Sequence, residues 1–330
     1  MSLLKSVPLT FFCSWLCLAA EPPGIPFESV KGLVYIQASV NGSASLPFVL
    51  DTGASISIVS PETAKLLSLH PAGAIAAAGP GRGGDQSMKL AAGISFRVGE
   101  TELKNQATAI LSLDYIERQA GHRTAGILSV GAFAGRIVQV DYAARVVRFI
   151  DPAAFSPSPE DREVPLVIGG NVPFVQVEIG LPHQISLTGT FILDSGFSGA
   201  TILFSKPFLA RHPELLQVAG LHNLPNIEAV GGKMEMQAAP IPFLRLGPFA
   251  IENPVAMFSL NGAGVLDNPQ IDGILGCKTL IRFRVTYDYP HSRMFLAPDS
   301  GPSAPAEKEN HLIVGRPADS AGRIEKLPEF

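Results

Sequence analysis

Cysteine is nearly missing from this 330-residue chain: there are three, and two of them, Cys13 and Cys17, fall in the first twenty residues. A mature chain carrying only Cys277 closes no internal disulfide, so its stability rests on an apolar core. Charge is also sparse, at 16% of residues with a net of −4, and no run of like charges stands out. That argues against nucleic acid or an anionic membrane surface as a partner. The seven histidines, His70, His122, His183, His212, His222, His291 and His311, show no metal-ligand spacing, and there is no Gly-x-Ser-x-Gly elbow. Metal-centred and serine-triad hydrolysis are therefore disfavoured, and neither metal nor cofactor is expected. The glycine-rich stretches "GPGRGG" and "AVGGK" lack the Gly-Lys-Ser/Thr ending of a phosphate-binding loop.

Long hydrophobic runs are absent except at the start. There Lys5 precedes an apolar stretch from Val7 to Leu18, followed by Ala19 and Ala20 and a proline-rich exit. This is the layout of a secretory signal peptide over 1–20, too short and too proline-interrupted at Pro8 for a spanning helix. The expectation is an exported protein, periplasmic or secreted. The alternative of an N-terminal anchor is the weaker one.

What the chain has in quantity is repetition. "FVLDTGAS" (48–55) is echoed by "FILDSGFSG" (191–199), and Asp51 and Asp194 stand 194 − 51 = 143 residues apart. "GIL" at 126–128 returns at 273–275, and "VQVDY" returns as "VTYDY", with Asp141 and Asp288 separated by 147. Between these anchors, alternating runs read as strands. Ser60-Pro61 and Ser205-Lys206-Pro207 read as helix starts, a capping serine followed by proline in the first turn. "GPGRGG" and "AVGGK" read as glycine-rich turns, each followed by a strand pair in which Asn105 answers Asn253. Asn41-Gly42 reads as a hairpin turn in preference to a glycosylation acceptor. Short strands with few helices predict a mostly β protein of two similar lobes, at 27–151 and 164–298. A linker at 152–163 joins them, and a polar tail at 299–330 is expected to be disordered.

The paired motifs resemble those of the aspartic peptidases, in the two-lobed retropepsin-like or pepsin-like arrangement, over nearly the whole mature chain. That resemblance implies a bilobal acid-protease fold. It also implies that Leu50-Asp51-Thr52-Gly53 with Gly126-Ile127-Leu128 and Leu193-Asp194-Ser195-Gly196 with Ile274-Leu275-Gly276 form two equivalent loops. Asp51 and Asp194 would be the catalytic pair of an endopeptidase acting on a peptide or protein substrate. Thr52 and Ser195 would exchange hydroxyl bonds across the lobes, and Gly53 and Gly196 would bond the carboxylates through their N–H groups. The chemistry follows from the pairing: two adjacent carboxylates do not readily both ionise, so they share a proton and can activate water without a covalent intermediate. One chain supplies both aspartates, so a monomer suffices.

Three positions depart from the family's habit. Ser129 stands where a glycine is usual. The third residue after each aspartate is Ala54 or Phe197 rather than a hydroxyl, which should raise the pair's pKa values and move activity toward neutral pH. The candidate flap has no tyrosine. The glycines Gly81, Gly83, Gly84, Gly231 and Gly232 resemble retroviral-type flap tips, one from each lobe, and can equally be read as plain surface turns. Ser129 and Phe197 favour the alternative of a non-catalytic, peptide-binding or scaffolding relative.

Overall fold

A computed structural model describes residues 22–77, 86–229, 232–261, 264–299 and 312–314; side chains at 75–77, 86–87, 225–229, 232–233 and 312–314 are not described. The signal segment, most of the tail, and Gly81, Gly83, Gly84 and Gly231 lie outside these residues. The chain is mostly β, with short helices, of which the longest among the described residues has seven residues.

Each lobe is built round a curled sheet with the same connections. In the first, Leu46–Asp51 pairs antiparallel with Leu33–Val40 on one side and parallel with Gly126–Ser129 on the other. In the second, Ser186–Asp194 lies in the same way between Val172–Gly180 and Gly273–Gly276. A second parallel pair, Ser57–Val59 with Thr101–Ile110, is matched by Ile202–Phe204 with Val255–Ser259. Central strands buried on both faces need continuous apolar sequence, and Phe48-Val49-Leu50 and Phe191-Ile192-Leu193 supply it. Burying one such phenylalanine contributes about 1.5–3 kcal/mol.

The repeat extends to the backbone's left-handed positions. Gly99 and Gly247 both have φ 55°, and Asn105 (φ 55°) answers Asn253 (φ 49°). Asn41 and Gly42 both have positive φ, and Ser43 N–H donates to Val40 O across them at 2.9 Å, a tight turn in the expected place within a connection whose strand pairing ends at Ala38–Leu46. Helix α1, Pro61–Leu66, is capped by Ser60, whose Oγ accepts from Thr63 N–H. Helix α2, Asp114–Ala120, ends at Gly121 with φ 69°. Helix α3, Lys206–Arg211, is capped by Ser205 in the same way as α1, and helix α4, Cys277–Leu280, follows Gly276 directly. The lobes differ where proline intervenes. Gln86–Val98 is one bulged strand, whereas its counterpart breaks into Gly232–Pro240 and Phe243–Leu246 around Pro242, which has no N–H to donate.

A six-stranded sheet takes strands from both halves. Its centre is an antiparallel ladder between Ile137–Asp141 and Phe283–Asp288, the "VQVDY" and "VTYDY" segments. Gln139 pairs with Thr286, its own repeat equivalent, since 286 − 139 = 147, and the flanking pairs Val138–Tyr287 and Val140–Val285 interchange about it. The pseudo-two-fold axis therefore passes through this pair, whose side chains hydrogen-bond at 3.1 Å. Arg162–Pro165, at the end of the expected linker, forms one edge strand of this sheet. In the tail, Leu312–Val314 pairs with Phe249–Glu252.

Candidate active site

Both aspartates are the last residues of their strands, opposite Ser129 in one lobe and Gly276 in the other. Beyond them the chain alternates between two surroundings. Thr52 and Ser195 are buried, whereas Asp51, Gly53 and Ala54, with Asp194, Gly196 and Phe197, are half-buried as whole residues. The hydroxyls thus turn into the seam between the lobes, and the loops that carry the carboxyls are less enclosed than the hydroxyls behind them.

Thr52 and Ser195 are locked reciprocally in that seam. Thr52 Oγ1 donates to Leu193 O at 2.6 Å and accepts from Ser195 N–H at 2.9 Å. Ser195 Oγ donates to Leu50 O at 3.1 Å and accepts from Thr52 N–H at 3.0 Å. Four bonds leave no buried donor or acceptor at this crossing unsatisfied, and each is shielded from water. Only side chains that donate and accept through one atom can make such an exchange.

The glycines have an equally specific position. A Cβ on Gly53 would fall within 3.0 Å of the Asp194 carboxyl, and one on Gly196 within 3.0 Å of the Asp51 carboxyl. Each loop therefore lies directly against the other lobe's aspartate, which any side chain would displace. Gly53 N–H donates to Asp51 Oδ1 at 2.7 Å and Gly196 N–H to Asp194 Oδ1 at 2.8 Å. The two carboxyl groups also hydrogen-bond each other.

That contact sets the electrostatics. Burial raises Asp51 above the ordinary carboxyl range, against the pull of bonds from Gly53, Asp194, Ala54 and Gly196. Burial likewise raises Asp194, and the charge of Asp51 beside it pushes it well above that range. The pair accordingly holds one proton between its two carboxyls, and its titration belongs to the pair. No hydroxyl stands at the third position: Ala54 takes it in lobe one, and in lobe two Phe197 N–H donates to the Asp194 main-chain oxygen at 3.3 Å.

Ser129 and Phe197 turn out to be two halves of one packing solution. In lobe one, small Ala54 leaves room for Ser129, whose Oγ donates to Ala54 O at 2.5 Å while its N–H donates to Ser57 Oγ at 3.2 Å. In lobe two, Phe197 fills that room, and a Cβ on Gly276 would lie 2.7 Å from Phe197 Cδ1. Large Phe197 requires glycine opposite it, and small Ala54 permits serine. The Phe197 ring packs on a cluster that includes Met234, Met236 and Met257.

Of the flap glycines, Gly232 opens the strand Gly232–Pro240, paired with His222–Ala229; the other four fall outside the described residues. The strand pair Gly73–Ala77 and Gln86–Val98 occupies the matching place in lobe one. Tyr115 was not anticipated. It lies half-buried on α2 against the cluster that contains Val49, Ile58 and Ile127, and its phenol is raised first by burial and then by Asp51 and Asp194. Its one sequence signal is an aromatic eleven residues before Gly126, on a helix start that has no capping side chain. A polar cavity of about 590 Å³ opens elsewhere, lined by Glu62, Asp114, Glu117, His122 and Arg123, and includes neither aspartate. Among the described residues no cluster of three His, Cys, Asp or Glu side chains could hold a metal ion.

Comparison with known proteins agrees with this geometry. Residues 36–131 match the family described as aspartyl protease. No curated protein matches the sequence. Among solved structures, the chain is similar to the aspartic proteinase from Irpex lacteus, at 13% identity and a TM-score of 0.51, over 84% of this chain and 97% of that one.

Proposed function

We infer that this chain, a member of the aspartic (pepsin-like) protease superfamily, is an aspartic-type endopeptidase that hydrolyses peptide bonds with water activated between Asp51 and Asp194. The observation that carries the reading is the carboxyl–carboxyl contact, held from behind by the Thr52–Ser195 exchange. In the reaction, the ionised aspartate takes a proton from water as the water oxygen bonds to the carbonyl carbon, and the protonated one gives its proton to the carbonyl oxygen. The C–N bond then breaks. The leaving nitrogen receives the proton taken from water, and a hydroxyl of the tetrahedral intermediate returns one to the other aspartate, so the pair ends as it began. Preorganised N–H donors from Gly53 and Gly196 keep the carboxylate charge in place throughout.

The competing reading, a non-catalytic relative, drew on Ser129 and Phe197. Their complementary packing gives each a local reason that leaves the carboxyl contact intact, so no specific observation now favours it. The rest of the proposal concerns setting. Residues 1–20 direct export, lobes at 27–151 and 164–298 act together in a monomer, and the strand pairs Gly73–Ala77 with Gln86–Val98 and His222–Ala229 with Gly232–Pro240 cover the substrate in the retroviral manner. Among the described residues no helix is long and apolar enough to cross a membrane.

The test is cleavage of an unfolded protein substrate across a pH series. Wild type should cleave it, a transition-state mimic of the pepstatin type should block that cleavage, and Asp51→Asn and Asp194→Asn should each lose at least about a thousandfold in kcat, some 4 kcal/mol of transition-state stabilisation. Cleavage that survives both substitutions would overturn the proposal.

A further inference from the structure

Asp51 and Asp194 end equivalent strands, yet the loops that follow them differ in length. Ile58 pairs with Ile127 as Leu203 pairs with Ile274, so Ser57 and Ile202 hold the same place in the two lobes. From Asp51 to Ser57 the chain takes 57 − 51 = 6 steps, and from Asp194 to Ile202 it takes 202 − 194 = 8. The first loop is two residues short.

The longer loop is closed by two main-chain bonds. Cys277 N–H donates to Phe197 O at 2.9 Å and Gly276 N–H to Thr201 O at 2.9 Å, so the strand end beside Asp194 ties down both the middle and the far end of the loop. The corresponding atoms of the first lobe are tied as well, by side chains. Ala54 O, which answers Phe197 O, accepts from Ser129 Oγ at 2.5 Å. Ser129 N–H, which answers Gly276 N–H, donates to Ser57 Oγ at 3.2 Å. Ser57 and Ser129 are 3% and 1% exposed, and their equivalents in the second lobe, Ile202 and Gly276, carry no hydroxyl.

A loop that lacks two residues presents fewer main-chain groups to the neighbouring strand, and a short hydroxyl side chain can donate or accept in their place. Ser129 is sited for this, because it is the ladder partner of Asp51. We propose that Ser57 and Ser129 are positioning residues for Asp51, their hydroxyls closing the shorter loop as two main-chain bonds close the longer one. The serine at 129 is then a working part of the first lobe, where glycine would leave Ala54 O without its donor. Both serines act through the loop between residues 51 and 57, which sets the Asp51 carboxyl against Asp194. What that carboxyl does rests on the peptidase reading above.

The test is the same cleavage assay on Ser57→Ala, Ser129→Ala and Ser57→Thr. Both alanine variants should lose about ten- to a hundredfold in kcat, with KM within about twofold of wild type, because a misplaced carboxyl is felt in the transition state. Ser57→Thr keeps the hydroxyl, and Ile202 in the equivalent place shows that a β-branched side chain suits the strand, so its kcat should stay within about threefold of wild type. A role in stability alone would lower Tm and leave the kcat of the folded protein unchanged. Wild-type kcat in both alanine variants overturns the proposal, as does a Ser57→Thr protein as slow as Ser57→Ala. Should Ser129→Ala not fold, the two Ser57 variants decide between these outcomes. A wild-type protein that cleaves nothing would refute the peptidase reading, and the positioning role is then judged by NMR of the aspartate carboxyl carbons. An Asp51 resonance that titrates at a different pH in Ser57→Ala supports it, and one that titrates as in wild type overturns it.

Discussion

Gly276→Ala puts the packing argument under the greatest strain. The added Cβ would stand 2.6 Å from Ala200 O, 2.7 Å from Phe197 O and 2.7 Å from Phe197 Cδ1. Two of these are main-chain oxygens with little freedom to retreat, because Phe197 O accepts from Cys277 N–H at 2.9 Å and the neighbouring Thr201 O accepts from Gly276 N–H at 2.9 Å. Overpacking usually costs about 1–3 kcal/mol, and a contact against fixed main chain on two sides belongs at about 3. For a chain of this size that corresponds to a fall in Tm of roughly 4–5 °C. Because Asp194 is the ladder partner of Gly276, kcat should fall with it. Phe197→Ala removes one of the three contacts, so in a double-mutant cycle the pair should be less destabilising than the sum by about 1 kcal/mol. Thermal unfolding of the four proteins gives both numbers. A Gly276→Ala protein melting within about 1 °C of wild type, against this scale of roughly 4–5 °C, would refute the claim that Phe197 and Gly276 are matched.

Two further outcomes follow from the carboxyl pair and its support. Asp194 has a folded pKa well above its ordinary 3.8, so the folded state holds the extra proton; that stabilisation is full below 3.8 and is lost as pH rises through the folded value. Relative to wild type, Asp194→Asn should therefore gain stability with rising pH, by denaturant midpoints taken from pH 3.5 to 8; a variant that loses stability relative to wild type as pH rises contradicts a raised Asp194. Thr52→Ala removes the hydroxyl that accepts from Ser195 N–H and donates to Leu193 O, leaving both buried and unpaired at a cost of about 2–4 kcal/mol. Thr52→Ser keeps both bonds and should lose less than half as much, and equal urea midpoints for the two variants would show that the exchange contributes nothing.

The parts legible in the sequence were those written twice. Asp51 and Asp194, the capping Ser60 and Ser205, and the asparagines Asn105 and Asn253 could be matched by offset alone, and each occupies equivalent places in the two lobes. Contacts between unlike positions were not legible. "VQVDY" and "VTYDY" were recognisable as copies, but nothing local says that copies pair with each other, which is a property of the axis between them. Ser129 and Phe197 read as two separate departures because each is explained by a residue about 75 to 79 positions away, Ala54 in one case and Gly276 in the other. Tyr115 shares that difficulty, since an aromatic on a short helix looks the same in sequence whatever it packs against.

The mismatch between Ala54 with Ser129 and Phe197 with Gly276 has a consequence for how the proton is shared. In an assembly of two identical halves the two carboxyls would be interchangeable, and the proton would be found on either with equal weight. Here the carboxyls sit in unequal surroundings, one beside a methyl group and the other beside a ring. The degeneracy is lifted before any substrate arrives. The duplicated chain thus makes its two aspartates inequivalent, so the proton they share is divided unevenly where a bare homodimer would divide it equally.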